Sequence, residues 1–511
     1  MLSTLASHGP VIVRPGVGPS PTGSHSVVGM DSSANATSPI PFWLAGRPAT
    51  GDAELEVTNS HDGRVVGVYS VPTAEQVEQA VAAADAVRRQ AAALPIHVRA
   101  DALSHVARRL AERAEEIAQL ISGENGKPIF WARGEVNRAI STFRFAAEEA
   151  RRFSGAVQRL DTEPAAQGRI AYVSRVPHGP VLAITPFNFP LNLVAHKVAP
   201  AIAVGAPFIV KPAPATPLSA LVLGEILAET NLPEGMFSVL PVPNDRAGAL
   251  VEDPRLPVVS FTGSGPVGYA LMDQVPRKHV TLELGGNGAA VVLADADLDW
   301  AAARAALFSN YQAGQSCISV QRVIVEESVL APFTEKLLAA VDALVTGDPS
   351  DEKTQVGPLV SVAAAERVEQ WVKEAVEGGA RVLAGGTRDG AAVAPTVLAD
   401  VPADAKLACE EVFGPVMIIQ PVASVDEAFA AVNDSKYGLQ AGIFTRNLDI
   451  AFRANRELEV GGVVIGDVPS FRADQMPYGG VKQSGVGREG VLSAMNDFTY
   501  EKVMVITGVT L

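Results

Sequence analysis

Cysteine is nearly missing from this chain: Cys317 and Cys409 are the only two among 511 residues. Two cysteines cannot build a disulfide framework, so a reducing compartment is expected. Positive charge is also short. With 41 Lys and Arg against 56 Asp and Glu, the formal net charge is −15. That balance argues against nucleic-acid or anionic-membrane partners held by bulk electrostatics, while leaving room for local basic phosphate sites. No long apolar run is present. The best stretch, Leu191 to Val210, is interrupted by His196, Lys197 and Pro200, which excludes an ordinary spanning helix. Residues Met1 to Pro10 lack a charged segment followed by an apolar one, so no targeting signal is expected. No repeat with a period of roughly 20–50 residues is visible. The expectation is a soluble cytoplasmic protein.

What is present is ample core material. Hydrophobic residues make up 48% and charged residues 19%, the balance of a globular chain with about three domains. Residues 1–39 are rich in Gly, Pro, Ser and Thr and read as a flexible arm; Met30 is an alternative start. Thr73-Ala-Glu-Gln76 reads as a capping box opening a helix to about Leu94. Helices are expected next over roughly 97–122 and 130–153, with Arg108, Arg109, Glu112 and Glu115 on a solvated face.

From residue 170 the texture becomes strand-like. Strands are predicted at 170–176, 181–185, 208–211, 236–240, 258–261 and 280–284, with helices at 191–203, 217–230, 245–252 and 266–273. This alternation predicts an α/β fold with a parallel sheet wound on both faces, whose ligands sit beyond the carboxyl ends of the strands. A second βα series is expected through 289–293, 322–326, 381–384 and 416–421. The run Thr499 to Ile506 resembles the strand near 170 and could pair with it as a tail that invites subunit pairing.

Three strand ends carry candidate chemistry. In Thr185-Pro-Phe-Asn-Phe-Pro190 two prolines fix a strand-to-helix turn that presents Asn188, either as a turn residue or as an oxyanion donor. Phe261-Thr-Gly-Ser-Gly-Pro-Val-Gly268 places free N–H groups at a helix start, where a phosphate could sit. Lys211 ends the apolar strand Phe208-Ile-Val-Lys211 and reads as a cofactor contact or as a snorkelling edge lysine. Glu283 ends the following strand, before Gly285 and Gly286. Cys317 follows small polar residues, with Gly314 three before it. By itself this thiol reads first as a small core hydrophobe, because free cysteine is usually buried. Cys409 reads as a structural or partly buried thiol. His178 and His196 have no ligand partners at metal spacing, so no metal is expected.

Taken together, Asn188, Lys211, Ser264, Glu283 and Cys317 stand in an order that resembles the aldehyde dehydrogenase superfamily. The resemblance extends through Glu410-Glu-Val-Phe-Gly-Pro415, Tyr437-Gly438 and Pro477-Tyr-Gly-Gly-Val-Lys-Gln-Ser-Gly485, and covers residues 42–506. It implies a doubly wound cofactor domain at 40–154 and 178–282, an α/β catalytic domain at 283–490, and a small β oligomerisation segment at 155–177 and 491–511. It also implies oxidation of a small-molecule aldehyde to the acid by a homodimer or homotetramer with NAD, or alternatively NADP. Cys317 would form a thiohemiacetal and then a thioester. Asn188 and the Cys317 backbone N–H would hold the oxyanion, and Glu283 would activate the hydrolytic water. Cofactor contacts would come from Ile184, Thr185, Pro186, Phe187, Lys211, Pro214, Gly263, Ser264, Leu284, Gly285, Glu411 and Phe413. Lys211 would take the adenine ribose, Ser264 the pyrophosphate and Glu411 the nicotinamide ribose, with Phe413 near the nicotinamide.

Two departures matter. Pro214 stands where NAD-preferring members often carry an acid, and Asn244 where many carry glycine. The segment Asp467-Val-Pro-Ser-Phe-Arg-Ala-Asp474 is similar to members acting on lactaldehyde, glyceraldehyde-type or phosphonoacetaldehyde-type substrates, and Arg472 reads as a substrate contact or as a surface or structural arginine. Glu283 favours hydrolysis. The alternatives are a coenzyme A-acylating semialdehyde dehydrogenase and a non-catalytic structural homologue.

Overall fold

A computed structural model describes residues 38–510; the expected arm up to residue 37, with Met30, lies outside the described residues. The capping box at Thr73 is present: its side chain accepts from Gln76 N, and the Gln76 side chain reaches back to Thr73 N. It opens the helix Ala74–Ala92. The single helix expected over 97–122 is two, Ile96–Glu112 and Ala114–Asn125, broken at Arg113. The non-helical backbone of Arg113 turns the chain there, and its guanidinium pairs with Glu116 and Glu225. A further helix, Ile129–Arg152, packs across them with ten buried positions at helical spacing.

Two large sheets follow. The first has eight strands, and its centre runs Phe237–Val239, Phe208–Lys211, Val181–Ile184, Val258–Thr262 and His279–Glu283, all parallel. Its edges are closed by antiparallel Phe42–Leu44 and Arg47–Ala49 on one side and Gly485–Val486 on the other. Three of these strands, Val181–Ile184, Phe208–Lys211 and Phe237–Val239, are buried along their length, as a parallel sheet covered on both faces requires. The covering helix Asn192–Val204 is buried at every position.

That burial poses a problem at helix starts, where backbone N–H groups lack partners. Neither Asn192–Val204 nor Leu218–Ala228 has a side-chain cap of its own. Buried glutamates from the helical layer supply what is missing. Glu135 accepts from Leu191 N at 2.9 Å and Asn192 N at 3.1 Å. Glu124 accepts from Leu218 N at 2.7 Å and Ser219 N at 3.1 Å. Burial pushes the Glu124 carboxyl up to about 7.

The second sheet has seven strands, including Gly288–Val292, Val320–Glu326 and Val416–Val422 in parallel. The sequence reading passed over three of its members, Thr396–Ala399, Gln440–Phe444 and Gly462–Ile465. Finally, Arg169–Pro177 pairs antiparallel with Thr499–Thr507 over nine residues, with Ala156–Arg159 on its other side. The tail pairing read from composition is thus present. No helix among the described residues is long and apolar enough to cross a membrane.

Candidate active site

The carboxyl ends of the first sheet and the amino ends of the second meet at one cavity of about 1350 Å³. Parallel register brings Ile184 beside Lys211 and Thr262 beside Glu283. Gly286, Cys317 and Glu411 to Phe413 lie just before strands of the second sheet. Cys317, Glu283 and Asn188 all line the cavity. So do Ile184 to Phe187, Lys211, Pro214, Gly263, Ser264, Leu284, Gly285, Glu411 and Phe413. The candidate catalytic and cofactor-contact residues named from the sequence therefore all line this one cavity.

The thiol is held by a strained loop. Gln312 and Ala313 have positive φ (56° and 52°), each a conformation that costs about 1–3 kcal/mol for a non-glycine residue. Gly314 follows at φ 71°, and a Cβ there would come within 2.0 Å of the Gly414 carbonyl oxygen. Only glycine lets the thiol-bearing loop lie against the segment that carries Glu411 and Phe413. Asn188 Nδ2 donates to the Gln315 carbonyl at 2.8 Å. One of its two amide hydrogens is thereby fixed, and the other is left for a ligand. Cys317 is partly exposed. Burial of its sulfur pushes the thiol up to about 12, with a hydrogen bond from Tyr478 opposing.

Glu283 is buried and neither of its oxygens has a hydrogen-bond partner. Burial, and then the charge of Glu489, hold its carboxyl well above the ordinary range. Such an orphaned carboxyl is a candidate proton acceptor. Glu411 accepts from Gly286 N at 3.1 Å, and burial pushes it up to about 7.

Lys211 lies on an inner strand and is buried, so the edge-lysine reading is set aside. Its Nζ donates to Asn244 Oδ1 at 2.5 Å, and burial brings it down to about 8. The helix Gly265–Gln274 begins at Ser264 with no side-chain cap, leaving its first N–H groups free. A buried cation, an uncapped helix start and an acceptor carboxylate thus lie along one cleft, a set of groups able to hold a dinucleotide.

Along one wall of the cavity lies a cluster of buried charges whose pairings the sequence did not give. Lys197 Nζ donates to Glu489 Oε1 at 2.8 Å and to Ser260 Oγ at 3.0 Å. Arg472 pairs with Glu489 at 3.1 Å and is not a surface residue; its side chain is 6% exposed. Asp474 accepts from Arg138 at 2.9 Å and lies 3.1 Å from His196 Nε2. Burial pushes His196 down to about 4. His178 stacks on His279, with ring centroids 5.0 Å apart. Charged residues at these positions gave no periodic signal, and only the fold brings them together. Cys409 is corrected: it is exposed rather than partly buried, because it closes the four-residue surface helix Lys406–Cys409. Among the described residues no group of three or more His, Cys, Asp or Glu could hold a metal ion.

Comparison with known proteins identifies the family. The family model described as "Aldehyde dehydrogenase family" matches residues 47–504. The chain belongs to the aldehyde dehydrogenase family. It is 42% identical over 467 residues to a 3-sulfolactaldehyde dehydrogenase of Priestia aryabhattai, covering 91% of this chain and 97% of that one. Among solved structures it resembles aldehyde dehydrogenase 21 of Physcomitrella patens in complex with the reaction product succinate, at TM-score 0.91 and 45% identity, covering 92% of this chain and 99% of that one. It also resembles the NADP-dependent glyceraldehyde-3-phosphate dehydrogenase of Bacillus halodurans complexed with NADP, at TM-score 0.89 and 34% identity, with coverage of 92% and 99%.

Proposed function

We propose that the chain oxidises a short aldehyde bearing a hydroxyl or anionic group to its carboxylic acid, with NAD or NADP. The observation that carries this reading is the convergence of Cys317, Asn188 and Glu283 on one cavity whose other end offers Lys211 and an uncapped helix start. The cofactor, when bound, accepts the hydride given up by the substrate carbon.

Cys317 releases its proton to solvent and, as the thiolate, attacks the aldehyde carbon, forming the S–C bond of a thiohemiacetal as the C=O π bond opens to the oxyanion. The free hydrogen of the Asn188 amide and the Cys317 backbone N–H take the oxyanion. Loss of hydride leaves a thioester on Cys317. Glu283 then accepts a proton from water, whose oxygen attacks the thioester and returns the thiolate. A buried, unpartnered carboxyl with a raised proton affinity suits that step, and it favours hydrolysis over transfer to coenzyme A.

Lys211 would hold the adenine ribose, Ser264 and the helix start the pyrophosphate, and Glu411 the nicotinamide ribose, with Phe413 beside the nicotinamide. No carboxylate stands at Pro214 to repel a 2′-phosphate, so both cofactors are compatible. The substrate end is lined by Arg138, Phe189, Tyr311, Phe471 and Arg472, a polar rim over aromatic walls. The relatives that act on sulfolactaldehyde or yield succinate support an anionic or hydroxylated tail. We divide the chain into a cofactor domain (40–154 and 178–282), a catalytic domain (283–490) and an oligomerisation segment (155–177 and 491–511). Exposed Val503, Met504 and Val505 on the tail strand support a homodimer or homotetramer. Free thiols support a cytoplasmic setting.

The test is a screen of short aldehydes against NAD and NADP separately, with and without coenzyme A, following reduced cofactor. Turnover without coenzyme A, abolished in Cys317→Ala, is the expected result. An absolute need for coenzyme A would replace hydrolysis with acyl transfer, and no turnover with any aldehyde would leave a non-catalytic homologue.

A further inference from the structure

The nucleophile has a partner that the reaction scheme above does not use. Tyr478 Oη lies 3.0 Å from Cys317 Sγ. The Arg472 guanidinium stands over the Tyr478 ring, 3.8 Å from its centroid. Tyr478 is buried, as is Arg472.

The placement is rigid. Tyr478 and Glu489 form an isolated antiparallel bridge, with Tyr478 N donating to Glu489 O at 2.9 Å and Glu489 N donating to Tyr478 O at 2.6 Å. The Glu489 carboxylate in turn holds Arg472 at 3.1 Å. One two-residue bridge therefore fixes both the phenol and the anion that clamps the cation over it. Ile318 and Leu439 pack against the same tyrosine and close the apolar side.

We propose that Tyr478 is a catalytic residue that donates its O–H to the Cys317 thiolate, with Arg472 as the positioning residue that strengthens the donation. While the sulfur carries its proton, either atom can donate. Once the thiol proton has left, the sulfur can only accept, and the phenol is the sole donor of the pair. A cation over the face of an aromatic ring withdraws electron density and makes the attached hydroxyl a better donor. The phenol keeps its own proton throughout. Burial, and then the partial charge of Cys317, hold its O–H well above the ordinary tyrosine range. No oxidant or added reactant is involved.

The consequence falls on two steps. Formation of the thiolate before attack is eased, and so is its departure when the thioester is hydrolysed. After attack the sulfur is bonded to carbon and is a poor acceptor, so the hydrogen bond favours the states at either end of the cycle. This inference rests on Cys317 being the attacking group, but its test does not require turnover.

In a Cys409→Ala background, which removes the exposed thiol, thiolate formation at Cys317 is followed by ultraviolet absorbance against pH, with Cys317→Ala as the blank. Tyr478→Phe keeps ring and shape, and melting temperature confirms its fold. It is expected to raise the thiolate midpoint by about one pH unit, the size of one hydrogen bond to a charged acceptor. At a fixed pH near neutrality, iodoacetamide should then modify Cys317 about tenfold more slowly. A monofluorinated tyrosine at position 478, a stronger donor of nearly the same shape, should lower the midpoint. A purely steric role would move neither variant's midpoint or would move both in one direction, and either result overturns the proposal. Failure of aldehyde turnover in the wild type with these shifts intact would count against the aldehyde reading alone.

Discussion

Lys197 Nζ and Glu489 Oε1 form a 2.8 Å ion pair with both side chains buried. It ties the helix Asn192–Val204, which covers the first sheet, to the segment that carries Tyr478. Burial alone pushes the Glu489 carboxyl up, but Lys197 and Arg472 outweigh it and hold the group far below its ordinary range. A folded value below the unfolded one means that the pair stabilises above about pH 4 and that the contribution fades as pH falls. Glu489→Gln should therefore cost about 3–5 kcal/mol near neutrality, because Lys197 is left buried without its anion. The cost should shrink on acidification. Chemical denaturation at about pH 7 and about pH 4 checks both points.

Glu283→Gln should leave the first half-reaction, acylation of Cys317 with loss of hydride, intact and stall the second. The acyl enzyme on Cys317 should accumulate and be visible by intact-protein mass spectrometry. In the wild type, the release rate should climb with pH, because a carboxyl held above its ordinary range becomes a base only as it loses its proton. The variant should lose that climb.

Asn188→Ala removes the free amide hydrogen and should lower kcat by about 10²–10³-fold. The Cys317 titration should stay near the wild-type position, since Asn188 donates to the Gln315 carbonyl and not to the sulfur. Steady-state kinetics together with the thiolate titration separate the two roles.

Lys211 is held near 8 by burial, so it is a cation below that pH and neutral above it. Dinucleotide affinity should weaken as pH rises through about 8, more steeply for NADP than for NAD, because the 2′-phosphate needs the cation more. Lys211→Met should flatten both profiles in titrations of intrinsic fluorescence.

The outer face of Thr499–Thr507 exposes Val503 at 57% and Val505 at 52%. A charge at Val503 would have to be desolvated in any subunit contact that covers this strand. Val503→Glu should shift the assembly toward monomer in light scattering while the melting curve of the rest of the chain is retained.

Much of this site could be read before the fold was known, for a physical reason. Asn188, Lys211, Ser264 and Glu283 each sit where a strand ends, and strand ends leave local marks: proline, glycine pairs, a charge after an apolar run. Cys317 was legible only through that company, since its own surroundings suit a core thiol equally. The tail strands were legible because β-branched and aromatic residues cluster in both partners. What could not be read depended on contacts between distant segments. Arg472 finds Tyr478 and Glu489 through a backbone bridge that no period encodes. The break at Arg113, whose guanidinium reaches Glu225 on another helix, falls where the local pattern is helical throughout. Thr396–Ala399 and Gly462–Ile465 are short strands whose partners, rather than their composition, make them strands.

The bridge between Tyr478 and Glu489, the short helix Val491–Asp497 and the tail strand Thr499–Thr507 follow one another along a single run of chain. The strand proposed for assembly and the phenol beside the thiol therefore share one stem. Events at the far carboxyl end, such as a fused tag or a clipped terminus, act on a handle attached to the reaction centre.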